Sequence, residues 1–379
     1  MIAYVRSRRR LWSAAGLLVG VMLTAWNVLV PGITFLQQYA VRNDLRLAYA
    51  AAIVGLRHGY SHLYDLAAQQ SAILSLGPGF NPQPFISPPP LAWLVTPLLA
   101  LPFPAALAIW TTLLVAALVW TWYLLAPPEP LARAAHLALW LGLFPVAYGV
   151  LVGQPGALVA AAVATTWWLM RRHRPGWAGV VLSLVVIKPQ LALLVPACLL
   201  VSGHIRTFAA WLVVSVFIGL VSLVLLAPDG VARYRDVLAL TQTPAWDITR
   251  RYAVSGLIGL GPQVYVAEAL VAGIALLAAW RHRGGGPEVP IAVGIAGSLL
   301  FTPYLAFQDF LMLVLAGWLL LRAQPSRWQV ALFVLGYALL ELALIVLALP
   351  IVVAEALLLI SLIWLPVPQV ERPLSRRAI

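Results

Sequence analysis

Apolar runs of about 17 to 25 residues recur from Leu11 to Pro366, separated by short polar breaks. Each is long enough for a helix to cross a hydrocarbon layer of roughly 30 Å. The runs are continuous and do not alternate, so the pattern reads as membrane helices and not as half-buried strands. It predicts spans over residues 11–30, 103–125, 132–151, 154–170, 175–188, 190–202, 206–227, 255–280, 289–304, 308–321, 328–347 and 351–366, an all-α polytopic bundle of about twelve helices. Runs 175–188 and 190–202 fall short of the ~20 residues of a full crossing and read as a re-entrant pair packed inside protein. With no fixed-period repeat to signal a solenoid or propeller, residues 1–379 read as one membrane domain.

Composition agrees with the pattern. Of 379 residues, 63% are hydrophobic and 9% charged, and the mean hydropathy is +0.94, too apolar for a soluble fold to hide. The net charge of +12 sits in arginine clusters between the apolar runs and not on one amphipathic face. This excludes a nucleic-acid surface and instead marks cytoplasmic loops. Starting from Arg6, Arg8, Arg9 and Arg10, the positive-inside rule also keeps Arg133, Arg171, Arg172, Arg174, Arg206, Arg281, Arg283, Arg322, Arg327, Arg372, Arg376 and Arg377 inside. The first apolar run has no small-residue cleavage site and reads as a retained helix. Cys198, the only cysteine, permits neither an internal disulfide nor a cysteine metal site.

Under this topology two hydrophilic segments face outward, residues 31–90 and 228–252. In the first, Leu45, Ala48, Ala52 and Leu56 recur at helical spacing over residues 44–57, which predicts a helix along the membrane surface. The proline-rich run 78–90 cannot continue a helix. Segment 88–101 is too short to span and reads as re-entrant. Six aspartates, Asp44, Asp65, Asp229, Asp236, Asp247 and Asp309, gather at the outer face. Glu129, Glu288 and Glu371 are placed inside, and Glu268, Glu341 and Glu355 within spans.

The outer segment carries Arg42-Asn43-Asp44-Leu45-Arg46-Leu47-Ala48-Tyr49, then Gly55, Gly59, Tyr60 and Tyr64, then Phe85-Ile86-Ser87-Pro88-Pro89-Pro90 and Thr96-Pro97-Leu98. Further on come Gly153-Gln154-Pro155-Gly156, Lys188-Pro189-Gln190, Thr302-Pro303-Tyr304 and Gln308-Asp309-Phe310. In this order the motifs resemble glycosyltransferase family 87, the mannosyltransferase-like enzymes of the GT-C architecture that use polyprenyl-phosphate sugars. The resemblance covers about residues 44–322. It implies transfer of a sugar, mannose first, from a polyprenyl-phosphate donor to a glycolipid or polysaccharide acceptor at the outer face of a bacterial inner membrane, with no metal or other cofactor. It also implies that Asp44 is the general base. Tyr49, Gln154, Gln308 and Asp309, which fall in these motifs, are the candidates for contact with substrate. Gln308 stands where many family members carry histidine, and an amide hydrogen-bonds but does not titrate.

The residue types fit that chemistry independently. Inverting transfer needs a carboxylate to take the acceptor hydroxyl's proton, and positive charge to stabilise the departing phosphate. Asp44 serves as that base or pairs structurally with Arg42 or Arg46. Lys188 is the only lysine beside 23 arginines. An intramembrane cation is a candidate phosphate ligand by default, its alternative being to cap its own helix end. Arg250 and Arg251 are the next candidates for phosphate, or for lipid headgroups. Asp65, Asp229, Asp236 and Asp247 read as ordinary loop acids. No P-loop, dinucleotide fingerprint, zinc-protease helix or Asp-x-Asp pair is present. The competing class is a transporter or lipid flippase, kept open by the three intramembrane glutamates, and a non-catalytic scaffold for envelope assembly is a third.

Overall fold

The computed structural model describes residues 9–29, 39–243, 246, 250–345 and 347–364. Asp247, Glu371, Arg6, Arg8, Arg372, Arg376 and Arg377 lie outside the described residues. Among the described residues every regular element is helical. The main ones are α1 (Arg9–Thr24), α2 (Leu45–His58), α3 (Leu66–Leu74), α4 (Phe103–Leu125), α5 (Pro130–Gly142), α6 (Phe144–Leu151), α7 (Gly156–Arg171), α8 (Pro175–Leu182), α9 (Val195–Val201), α10 (Ile205–Leu240), α11 (Pro262–Arg281), α12 (Glu288–Phe301), α13 (Leu311–Arg322), α14 (Arg327–Leu340) and α15 (Leu349–Ser361).

Four stretches are long and apolar enough to cross a membrane: Arg10–Leu29, Phe103–Leu125, Ile205–Leu240 and Pro262–Arg281. The predicted span 132–151 is a bent pair, α5 and α6, turned by 59° where Leu143 separates them, and it adds a fifth if taken as one crossing. Pro145, near the start of α6, explains why the ladder breaks there. Shorter apolar helices cover Pro89–Ala100, Pro175–Ile187, Glu288–Phe301 and Leu349–Trp364. Residues 175–202 form the expected short, broken elements. α8 tightens into a 3₁₀ turn at Ser183–Ile187, a second such turn covers Pro189–Leu191, and α9 follows.

The core runs through α12, where every residue from Val289 to Leu300 is buried. Close helix crossings depend on small residues. A Cβ on Gly20 of α1 would meet the Ala138 backbone of α5 at 2.6 Å, and one on Gly142 would meet the Gly20 carbonyl at 2.6 Å.

Two expectations change. The helix predicted at 44–57 is present as α2, but protein encloses it. Arg46, Ala48, Tyr49, Ala50, Ala51, Ala52 and Val54 are all buried, because the alanine run lets neighbours approach closely where a surface helix would keep a polar face open. The second outer segment, expected as a loop from residue 228, begins as helix. α10 continues to Leu240 across a kink at Ala227 (φ 54, ψ 176) and Pro228. The predicted span 206–227 does stop at its expected end, because Ala227 is non-helical, and a second helical piece over 228–240 starts on Pro228, where a missing N–H costs nothing. The part of α10 after the kink, residues 228–240, clasps the segment around Ser61–Tyr64. Arg233 Nη1 donates to the Ser61 carbonyl at 3.0 Å and lies 2.9 Å from His62 Nδ1, and the Tyr234 ring stacks on Tyr64 with centroids 4.2 Å apart.

Candidate active site

Asp44 sits where a one-turn helix (Tyr39–Arg42) meets α2, at the position preceding the first residue of α2. Its backbone N–H donates to the Val152 carbonyl at 2.8 Å. Its neighbour Asn43, fully buried, donates from Nδ2 to the Leu151 carbonyl at 3.2 Å and accepts the Leu45 N–H at 3.0 Å. The segment thus docks on the Gly153-Gln154-Pro155-Gly156 turn between α6 and α7. Gly153 has φ +69, and a Cβ there would lie 2.0 Å from Asn43 Oδ1, so both backbone conformation and space require glycine. Trp110 of α4 donates from Nε1 to the Gly153 carbonyl at 2.8 Å and holds the turn from the other side.

This docking brings four sequence-predicted residues into one hydrogen-bonded chain. Gln154 Nε2 donates to Asp44 Oδ2 in a short contact. Gln154 Oε1 accepts from Lys188 Nζ at 2.9 Å. Lys188 also forms a tight ion pair with Asp309 Oδ1. Lys188 is in the break between the two 3₁₀ turns before α9, and Asp309 is in the 3₁₀ turn Phe307–Phe310 ahead of α13. The Asp309 side chain is 0% exposed and that of Lys188 is 6% exposed. At the other end, Arg46 Nη1 is 3.3 Å from Asp44 Oδ1. It also donates to the Asn43 carbonyl at 2.9 Å, and Nη2 donates to Gln83 Oε1 at 2.9 Å.

Beside the chain lies a cavity of about 1210 Å³, walled by Asp44, Gln154, Lys188 and Gln308 together with Arg42, Arg46, Gln190 and Tyr304. The Asp44 side chain is 30% exposed and forms part of this wall. Burial pushes its carboxyl above the ordinary aspartate value, and the Arg46 charge, the Gln154 hydrogen bond and the Lys188 charge oppose that rise. A carboxylate raised in this way is a stronger proton acceptor than an ordinary aspartate. Tyr148, Tyr252 and Phe307 form an aromatic part of the wall, with the Tyr148 and Phe307 centroids 4.5 Å apart. Among the described residues, no cluster of three or more histidine, cysteine or carboxylate side chains is arranged for a metal ion.

The remaining candidates lie elsewhere. Tyr49 is not part of the cavity wall. Five residues beyond Asp44 is about 140° around a helix, which turns its hydroxyl to donate to the Leu101 carbonyl at 2.7 Å and its ring onto Phe103. Arg250 is buried, and its guanidinium donates to the carbonyls of Thr241 and Thr243 just past the end of α10, where helix carbonyls lack partners. Arg251 is exposed, and neither arginine lines the cavity. Asp229 and Asp236 are exposed on α10, and Asp65 caps α3 by accepting the Ala68 N–H at 3.0 Å. None of the three lines the cavity, and Asp229 and Asp236 sit on helix where a loop was expected. The sequence reading passed over Arg42 and Arg46 as cavity cations. Their positions two residues on either side of Asp44 were the available signal.

An all-helical chain with membrane-length apolar helices and an internal cavity holding a hydrogen-bonded carboxylate defines an integral membrane protein built around a polar site. The sequence model of glycosyltransferase family 87 matches residues 85–306, and the chain belongs to that family. Gln154 and Lys188 fall inside the matched stretch. Asp44 precedes it, and Gln308 and Asp309 follow just after. No curated protein and no solved structure matches the chain.

Proposed function

We propose that this glycosyltransferase moves a sugar, mannose first, from a polyprenyl-phosphate donor to a glycolipid or polysaccharide acceptor at the extracytoplasmic face of a bacterial inner membrane. The remaining apolar helices complete a bundle of about twelve spans. The observation that carries this reading is the Asp44 carboxylate in the wall of a large cavity, held by donors on both oxygens.

Asp44 takes the proton of the acceptor hydroxyl while that oxygen forms a bond to the anomeric carbon. The bond from that carbon to the phosphate oxygen breaks on the opposite face, and the lipid phosphate departs as an anion that needs no protonation. Arg42, in the same wall, supplies positive field for the departing phosphate. Gln308, buried at the cavity, hydrogen-bonds a hydroxyl of the sugar. Purified Asp44→Asn, which keeps the size and loses the base, is expected to lower transfer from a polyprenyl-phosphate sugar by at least about a hundredfold. Full transfer by this variant removes the assignment. Flux of a lipid substrate through proteoliposomes without any sugar transfer would place the chain among transporters.

A further inference from the structure

Gln154 stands between two groups with opposite demands. An ammonium has donors only, so the contact from Lys188 Nζ at 2.9 Å claims the amide oxygen. Nε2 then points the other way and donates to Asp44 Oδ2. A flipped amide would set NH₂ against ammonium and carbonyl against carboxylate, two repulsive contacts in place of two favourable ones. Lys188 is itself anchored by Asp309, whose second oxygen accepts the Ala306 N–H at 3.3 Å. The ion pair is buried and locally neutral, so its charge is committed within the protein.

We infer that Gln154 is the positioning residue for the Asp44 carboxylate, and that the Lys188–Asp309 pair sets the orientation of its amide instead of binding the donor's phosphate. The inference rests on the reading of Asp44 as the base. Arg42 also lines the cavity, so committing Lys188 does not strip the phosphate of positive charge.

The arrangement has a signature that mere structural support lacks. The amide donor favours the ionised carboxylate. Without it Asp44 holds its proton to higher pH, and the acid limb of the rate profile, where Asp44 becomes protonated and inactive, moves upward. Gln154→Ala is expected to lower kcat about ten- to hundredfold, the loss of one hydrogen bond to a charged group. Donor KM stays unchanged and the acid limb shifts to higher pH. Lys188→Met is expected to shift the limb the same way, because Asp44 loses a nearby cation and the amide loses its reference; the charge-balanced double variant below isolates the second cause.

The test uses the full chain in nanodiscs with synthetic polyprenyl-phosphate mannose as donor. The same shift is read with no donor from the ¹³C resonance of the Asp44 carboxyl, assigned by its loss in Asp44→Asn. Its titration midpoint should rise in both variants. The double variant Lys188→Met, Asp309→Leu removes the pair without leaving a buried charge unpaired, which separates misfolding from positioning. Persistence of the shift in it supports the proposal, and a return to the wild-type midpoint overturns it. A raised donor KM with an unmoved limb in Lys188→Met makes that lysine a phosphate ligand and also overturns it. If Asp44→Asn keeps full transfer, the base assignment falls and takes the positioning role with it. If Asp44→Asn is inactive while Gln154→Ala leaves the midpoint in place, only the positioning role fails.

Discussion

At Gly153 a single hydrogen in place of a methyl group lets the outer segment seat against the turn between α6 and α7. The position has φ +69 and Asn43 Oδ1 occupies the space a side chain would need. Gly153→Ala therefore meets two costs, left-handed backbone strain and displacement of a fully buried asparagine. Together these are expected to destabilise the protein by about 1–3 kcal/mol and to lower transfer activity, because Asp44 hangs on the same contact. Thermal unfolding and turnover of the detergent-purified variant check both. This scale also shows what a sequence can and cannot disclose about a site. Gln154 and Lys188 were legible because each interrupts an apolar run beside a glycine or a proline, where a charge or amide is conspicuous, whereas Asp44 and Asp309 were singled out by motifs that resemble the family. The directions of Tyr49, Arg46 and Arg250 were not legible. They depend on which carbonyl or carboxylate another helix presents, and spacing along the chain does not encode that.

Among the elements, the bend between α5 and α6 is maintained from a distance. Glu341, at the end of α14, accepts the Phe144 N–H on Oε1 at 3.0 Å and the Asn27 amide on Oε2 at 2.9 Å. Asn27 Nδ2 in turn donates to the Gly142 carbonyl at 2.8 Å. One carboxylate thus caps the buried start of α6 and ties the turn Ala25–Leu29 that follows α1 to the break. Helix starts carry unpaired N–H groups and positive partial charge, so a carboxylate there is favourable. Glu341→Ala should leave the Phe144 N–H without its partner and cost about 1–3 kcal/mol of stability, whereas Glu341→Gln, which keeps one accepting oxygen but sets its NH₂ against a donor, should fall between that variant and the wild type. Denaturation midpoints in one detergent compare the two. Long apolar runs made the helices themselves readable, and Phe103–Leu125 falls on its predicted bounds. The differences lie where a new helical piece starts directly after a break, as at Pro228 following Ala227, or where small residues draw a seemingly amphipathic helix into the interior, as in α2.

For the molecule as a whole, the distribution of arginines supplies an orientation that labelling can test. Cys198 is fully buried, so the native thiol should stay silent toward a membrane-impermeant maleimide in intact cells. A cysteine introduced at Asp65 should react from outside, and one introduced at Arg172 should react only after the membrane is opened. The reverse pattern would invert the topology and move the cavity to the cytoplasmic side. The cavity draws its walls from α2, the Gly153 turn, the break before α9, the part of α10 after the kink and the turn before α13. Positions as far apart as 44 and 309 must therefore assemble together, and folding of the last third of the chain is a condition for a finished site.

The interlock between Asn43 and Gly153 also limits how this lineage can diversify. A bulkier residue at 153 requires a smaller one at 43, and that exchange forfeits the Asn43 bond that starts α2 beside Asp44. Glycine at 153 is therefore held by its φ of +69 as well as by its neighbour, and an engineered library that varies position 153 should return almost nothing but the parental residue.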